Sequence, residues 1–360
     1  MADELVTRSI EIIRANQAPS GAYIASPNFP PYRYAWFRDG AFIAYAMDWV
    51  GEAESAARFH DWAAATVARH AAKAQAGITR ARRGESLKSE DGLHTRYALD
   101  GTEGNEPWPN FQLDGLGTWL WSAVEYLKRH DDASSATRWA DSLNLVADYL
   151  GALWRLPSYD CWEEFGDRVH VSTLSALYGG LRAFADWRGD PVWARVADEI
   201  RAFVLEEGVR DGHLIKFIGN HEVDASLLGA AIPYHLLAVD DPRMLATVEK
   251  IERNLRRDRA GVHRYAADSY YGGGEWVLLT AWLGWYYAER GESARARDCL
   301  AWVVAQADAQ DQLPEQVSVS LNVPSKYAEW LTRWGPIAKP LLWSHAQFLI
   351  LWKALNDRNC

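Results

Sequence analysis

Apolar residues recur at helical spacing in twelve windows, near 3–15, 38–51, 54–70, 112–129, 136–153, 172–188, 191–206, 225–237, 241–256, 275–290, 293–308 and 340–356, and the pattern predicts a helix in each. The links between them alternate short and long. Short links such as Gly51-Glu52, Arg188-Gly189-Asp190-Pro191 and Val239-Asp240-Asp241-Pro242 carry a Gly stop or an Asp start signal at the right position. The long links, near 17–37, 71–111, 154–171, 207–224, 257–274 and 309–339, hold most of the Gly, Pro and loose polar residues. Pairing helices across the short links puts every long link at one end of the assembly. Six such hairpins closed into a ring make an all-α fold, an (α/α)6 barrel of twelve helices with its site on the long-loop face. An open solenoid of hairpins is the other architecture that fits, although structureless links this long usually serve function.

Composition narrows the class. The helical windows never break into two distinct halves, so residues 1–360 read as one domain with a large core. A net charge of −10 argues against nucleic acid and anionic membranes as partners. No stretch approaches the ~20 apolar residues of a membrane span. The acidic start Met1-Ala2-Asp3-Glu4 has no apolar run after it and does not read as a signal peptide. Three cysteines, Cys161, Cys299 and Cys360, form no metal spacing, and the odd count suits a reducing compartment. These features predict a cytoplasmic protein without metal or cofactor, and they leave its oligomeric state open.

Tryptophan is over-represented, with 19 residues. Trp119 with Trp121 and Trp282 with Trp285 sit in helical windows and read as core. Trp36, Trp108, Trp162, Trp330 and Trp334 instead lie in or beside long links. Flat aromatic faces suit the C–H faces of pyranose rings, with the indole N–H free to bond a hydroxyl. Two loop carboxylate sites accompany them. In Tyr159-Asp160-Cys161-Trp162-Glu163-Glu164-Phe165-Gly166, adjacent glutamates stand beside Trp and Phe. Apolar and like-charge surroundings favour a protonated carboxyl, as a general acid near neutral pH requires. A helix-start pair complementing the dipole is the plainer reading. In Leu313-Pro314-Glu315-Gln316-Val317 a lone Glu stands among apolar residues. Arg38 and Asp39 offer a donor fork and a paired acceptor to adjacent sugar hydroxyls, or else a helix-start ion pair. The run from His263 to Gly274 combines Arg264, Asp268, Tyr270 and Tyr271 with three glycines, and no Lys-Ser/Thr follows to make it a phosphate loop.

From Ala18 to Leu349 these motifs, in this order, resemble glycoside hydrolase family 15, the glucoamylase-like enzymes. Tyr-x-Trp-x-Arg-Asp matches at Tyr34, Trp36, Arg38 and Asp39, with Tyr32 two residues upstream; Gln-x-Asp-Gly matches at Gln112 to Gly115, with Trp108 before it. Trp-Glu-Glu matches at Trp162 to Glu164, Asp-Ala-Ser-Leu at Asp224 to Leu227, and Arg-Tyr-x-x-Asp-x-Tyr-Tyr at Arg264, Tyr265, Asp268, Tyr270 and Tyr271. Leu-Pro-Glu-Gln matches at Leu313 to Gln316 and Trp-Ser-His-Ala at Trp343 to Ala346. The resemblance implies an (α/α)6 barrel, Glu163 as general acid and Glu315 as general base. It implies substrate contacts from Tyr32, Trp36, Arg38, Asp39, Trp108, Trp162, Glu164, Arg264, Tyr265 and Asp268. It also implies inversion, which needs the two carboxyls about 6.5–9.5 Å apart to admit a water.

There are two departures from the family pattern: Ala266-Ala267 stands where fungal starch-degrading members carry Pro-Glu, which bears on linkage preference, and Cys161 stands where Leu is usual, a packing substitution. With no N-terminal β-sandwich and no starch-binding module, the chain is most similar to compact members acting on isomaltose and other small α-1,6-glucosides. The implied partner is a small α-glucoside with glucose in the pocket; α-1,4-maltosides and trehalose are the alternatives within the family. A sugar epimerase on the same barrel would use paired histidines, and the long links contain His94, His170, His213, His221 and His263 without a familiar motif. A non-catalytic sugar-binding protein would have no need of both Glu163 and Glu315.

Overall fold

The computed structural model describes residues 2–85, 87, 91–257 and 261–357; Cys360 lies outside them. The start and stop signals act where the sequence puts them. Asp132, Asp190 and Asp241 cap the helices Ala133–Leu153 (α6), Pro191–Glu207 (α8) and Pro242–Leu255 (α9), each accepting a backbone N–H from the first turn. Proline fills the first position of α8 and α9, where its missing N–H costs nothing. Gly189, in the left-handed region at φ 68°, ends Val171–Arg188 (α7).

Burial separates two layers. Val277–Glu289 (α10) is buried at every residue from Val277 to Ala288, the mark of a helix enclosed on all sides. In α9, by contrast, Met244, Thr247, Val248, Ile251 and Leu255 form a single buried stripe. The inner elements pack in sequence: Phe37–Trp49 (α2) on Asp114–His130 (α5), α5 on α7, α7 and α10 either side of the segment Ala225–Ala230, α10 on Leu342–Asp357 (α13), and α13 back on α2. The ring is closed, which excludes the solenoid. The outer layer is Ala2–Ala15 (α1) on α13, Ala53–Arg69 (α3) on α2, α6 on α5, α8 on α7, α9 on the 225–230 segment, and Ser293–Val304 (α11) on α10. One contact in the inner ring is unusually close. A Cβ on Gly180 of α7 would meet the Gly117 carbonyl of α5 at 2.3 Å, so these helices touch backbone to backbone.

Three elements differ from the expected twelve. The window 225–237 is not an α-helix: a 3₁₀ turn spans Ala225–Ala230 and irregular turns follow. Pro233 accounts for the break, having no N–H to donate and a ring that clashes with the carbonyl four residues back. Two further helices, Ala71–Arg82 (α4) and Pro324–Trp334 (α12), form inside the second and last long links. The barrel axis is filled by aromatic rings. Phe42 stacks on Trp343 at 5.3 Å and meets Trp282 edge-on at 5.2 Å, which closes the ring beneath the loop face.

Candidate active site

Two short ribbons bring distant long links together on the loop face. Strand Ala35–Trp36 (β1) pairs with Arg96–Tyr97 (β2), setting Trp36 opposite Arg96. Glu275–Trp276 and Gln316–Val317 pair likewise, with Trp276 opposite Gln316, so Glu315 is fixed beside the start of α10. The Glu315 carbonyl accepts the Val277 N–H at 3.2 Å and its own N–H donates to Ala338 at 2.9 Å. Between the ribbons lies a cavity of about 410 Å³. Glu163, Glu315, Tyr32, Trp36, Arg38, Asp39, Trp108, Trp162, Glu164 and Arg264 all line it. Tyr265 and Asp268 do not line it; they stand behind the wall and hold residues that do.

Glu163 sits at φ +69° and Phe165 at φ +51°, left-handed conformations that cost a non-glycine residue about 1–3 kcal/mol and persist only where surroundings enforce them. Asp160 does the enforcing: its Oδ1 accepts the N–H of Trp162 at 3.0 Å and of Glu164 at 2.9 Å, and its carbonyl accepts the N–H of Glu163. Oε1 of Glu163 accepts from the Trp36 indole at 2.8 Å and from Gln112 Nε2 at 3.2 Å, and Oε2 has no hydrogen bond among the described residues. Glu315 is buried, and Tyr32 donates to its Oε1 at 2.9 Å while Oε2 has no partner among the described residues. Having spent its one hydrogen on Glu315, Tyr32 accepts from the Tyr270 hydroxyl at 3.2 Å. Burial pushes the Glu315 carboxyl up to about 8, against the opposing pull of the Tyr32 hydrogen bond and Arg264.

At the floor, Arg38 donates to Gln112 at 3.0 Å and Asp114 at 3.1 Å, and its Nε lies 3.6 Å from Asp39, too far for a hydrogen bond. Arg38 Nε, Asp39 Oδ2 and the indole nitrogens of Trp276 and Trp343 are buried without a hydrogen-bond partner among the described residues. Together they make a set of donors and an acceptor suited to sugar hydroxyls. Burial raises Asp39 to about 6, with Arg38 opposing. Arg264 forms a two-point pair with Asp268, at 2.8 and 2.5 Å, and reaches Glu164 at 3.3 Å. The Tyr265 hydroxyl donates to Glu164 at 2.5 Å. Burial raises the Glu164 carboxyl, and Arg264 and Tyr265 oppose it.

Arg96 and Arg333 carry no signal in the sequence, whereas Trp330 and Trp334 are among the loop tryptophans that point to a sugar. Arg96 lies 3.7 Å above the Trp108 ring and 4.1 Å from that of Tyr34, stiffening one wall. Trp330, Arg333 and Trp334 from α12 line the mouth, with Arg333 over both indoles at 5.2 and 5.1 Å. Ala266 and Ala267 are exposed and do not line the cavity. The loop histidines do not line it either: His170, His213 and His263 bond the carbonyls of Phe165, Leu214 and Gly273. Among the described residues no cluster of metal ligands occurs, and no helix is long and apolar enough to cross a membrane.

A closed ring of helical hairpins, with a pocket walled by aromatics and two separately bonded glutamates, defines a carbohydrate-cleaving hydrolase. Residues 1–353 match Glycosyl hydrolases family 15, and the chain belongs to that family. It is 44% identical to an isomaltose glucohydrolase of Kribbella flavida over 97% of this chain and 91% of the relative. A glycosidase variant solved in complex with glucose superposes with a TM-score of 0.95 at 42% identity, covering 99% of this chain and 97% of that one. A bacterial glucoamylase complexed with acarbose shares the fold, with a TM-score of 0.75 at 21% identity over 98% of this chain and 55% of its own length. The chain is a glycoside hydrolase, as its motifs imply.

Proposed function

We propose that this enzyme removes glucose from the non-reducing end of isomaltose and short α-1,6-linked oligosaccharides, with inversion. The observation that carries this reading is the presence of Glu163 and Glu315 in one cavity, each with one carboxylate oxygen bonded and the other without a hydrogen bond among the described residues. Glu163 protonates the glycosidic oxygen as the C1–O bond breaks. Glu315 takes a proton from the water that attacks C1 from the opposite face, giving β-glucose. Arg38, Asp39, Trp276 and Trp343 hold the first ring, Glu164 and Arg264 its outward side, and Trp330 and Trp334 flank the second. The reaction needs no metal or cofactor. The similarity to an isomaltose glucohydrolase supports the linkage, and the cavity of about 410 Å³ favours a short substrate over granular starch. Residues 1–360 are proposed to act as one catalytic domain, in the cytoplasm, with the unpaired thiols of Cys161 and Cys299 supporting a reducing compartment.

One observation favours exchanged roles: burial holds the proton on Glu315 up to about pH 8. The fluoride leaving group of α-glucosyl fluoride needs little protonation, so it separates the two assignments. Glu163→Gln should lose isomaltose turnover yet keep most fluoride turnover, and Glu315→Gln should lose both. The reverse pattern would exchange the roles. Proton NMR of isomaltose, maltose and trehalose incubated separately should show β-glucose first, released fastest from isomaltose. Early α-glucose would rule out the inverting mechanism.

A further inference from the structure

Behind the Trp162-Glu163-Glu164 loop, and outside the cavity, lies a buried ion cluster that the mechanism above does not use. Lys216 Nζ bonds Asp224 at 2.5 Å and Asp160 at 3.1 Å, with all three side chains almost fully buried. Each carboxylate grips the loop in its own way. Asp160 takes the backbone N–H groups of Trp162 and Glu164, while Asp224 takes the Trp162 indole N–H at 3.0 Å and caps the 225–230 segment through Ser226. The ammonium also stands 3.8 Å from the centre of the Tyr265 ring, whose hydroxyl bonds Glu164. Burial works against the charge on Lys216, and Asp224 and Asp160 outweigh it, so the lysine stays cationic. Lys216 is the one cation bonded to both carboxylates among the described residues.

We propose that Lys216 is a positioning residue for Glu163: by neutralising Asp160 and Asp224 together, it keeps both grips on the loop and holds the proton donor in its left-handed conformation. Without the ammonium, the two buried carboxylates keep no cation but whatever charge His170 takes up, its Nδ1 standing 4.0 Å from Asp160, and one carboxylate must take up a proton or move away. Either response loosens a grip on a backbone already in an unfavourable conformation, while the floor contacts of Arg38 and Asp39 stay untouched. Glu163 then loses aim before the pocket loses its sugar.

This inference rests on Glu163 being the acid, and its test is separable from the test of that assignment. In Lys216→Met, kcat on isomaltose should fall about 100-fold with KM within about threefold, since an interaction needed only for the transition state is lost. Fluoride turnover should fall by less than about tenfold, because it does not depend on an aimed proton donor. Adding Asp224→Asn removes one of the two unpaired charges, and with it their mutual repulsion, and keeps an acceptor for the Trp162 indole, so the double variant should regain at least about tenfold in kcat on isomaltose. Equal loss on both substrates, or no recovery in the double variant, overturns the proposal. If Lys216→Met does not fold, the double variant decides alone: folded and within about tenfold of the parent on isomaltose supports the proposal, folded and inactive overturns it. Failure of both to fold makes Lys216 a general structural residue and overturns it too. A wrong acid assignment shows up separately, as Glu163→Gln losing both substrates.

Discussion

The indole N–H of Trp36 donates to Oε1 of Glu163 across 2.8 Å, joining a residue of the first long link to one of the third. Trp36 is in turn fixed by the β1–β2 pairing and by Arg96 on its flank. Glu163 becomes a carboxylate as it gives up its proton, and hydrogen bonds to charged groups contribute about 1.5–3 kcal/mol, each 1.4 being tenfold in rate, so Trp36→Phe should cut kcat about 10- to 100-fold. The aromatic wall remains, so KM should move much less. An unchanged kcat would mean that Gln112 alone orients the carboxyl.

Glu315 links stability to pH with a definite sign. Its folded-state proton affinity, near pH 8, exceeds the ordinary value of 4.5, so ionising it costs the fold. That cost is absent below the ordinary value, grows as pH rises, and is complete above about 8. Glu315→Gln should therefore match the parent near pH 4 and exceed it by a few kcal/mol near pH 9, while losing activity throughout. Thermal melts of both proteins at the two pH values check this. A variant less stable at the higher value contradicts it.

Asp268 never reaches the cavity, yet it neutralises Arg264, which does. Asp268→Ala would leave a buried guanidinium held only by Glu164, a change that typically costs about 3–5 kcal/mol. A lowered melting temperature together with a raised KM is expected. A raised KM at unchanged stability would mean that Arg264 finds another partner.

The rim tryptophans should separate the second ring from the first. Trp330→Ala and Trp334→Ala are each expected to raise KM for isomaltose about 3- to 10-fold, the loss of one aromatic contact. Inhibition by free glucose, which fills the floor, should hardly change. A matching loss of glucose affinity would show that the rim shapes the whole pocket.

The ring of hairpins was legible because its signals are local. Asp190-Pro191 and Asp241-Pro242 start their helices with no help from distant residues, and the all-round burial of α10 follows from an apolar run interrupted only by Thr280 and Gly284. The irregular fourth inner element was hidden by a competing signal, since Leu227, Leu228, Leu236 and Leu237 keep helical spacing past Pro233, which breaks the backbone. Helix α12 shows the reverse case. Its Pro324 sits at the helix start, but the Trp-rich face covers aromatic rings of another loop and has no core of its own to mark it. Glu163 is marked by its neighbour Trp162 and Glu315 by its isolation among apolar residues, both in long links, whereas Lys216 has no such mark. Its only trace is a lysine inside the apolar run Leu214-Ile215-Lys216-Phe217-Ile218, and partners 56 and 8 residues away are visible only once the chain is folded.

Helix α13 packs on both α2 and α10, and its first turn carries Trp343 to the pocket floor. A growing polypeptide therefore has no floor for a sugar until α13 has left the ribosome and found α2. Substrate can stabilise only the finished ring, by mass action on the native state, and cannot guide the partly made chain toward it.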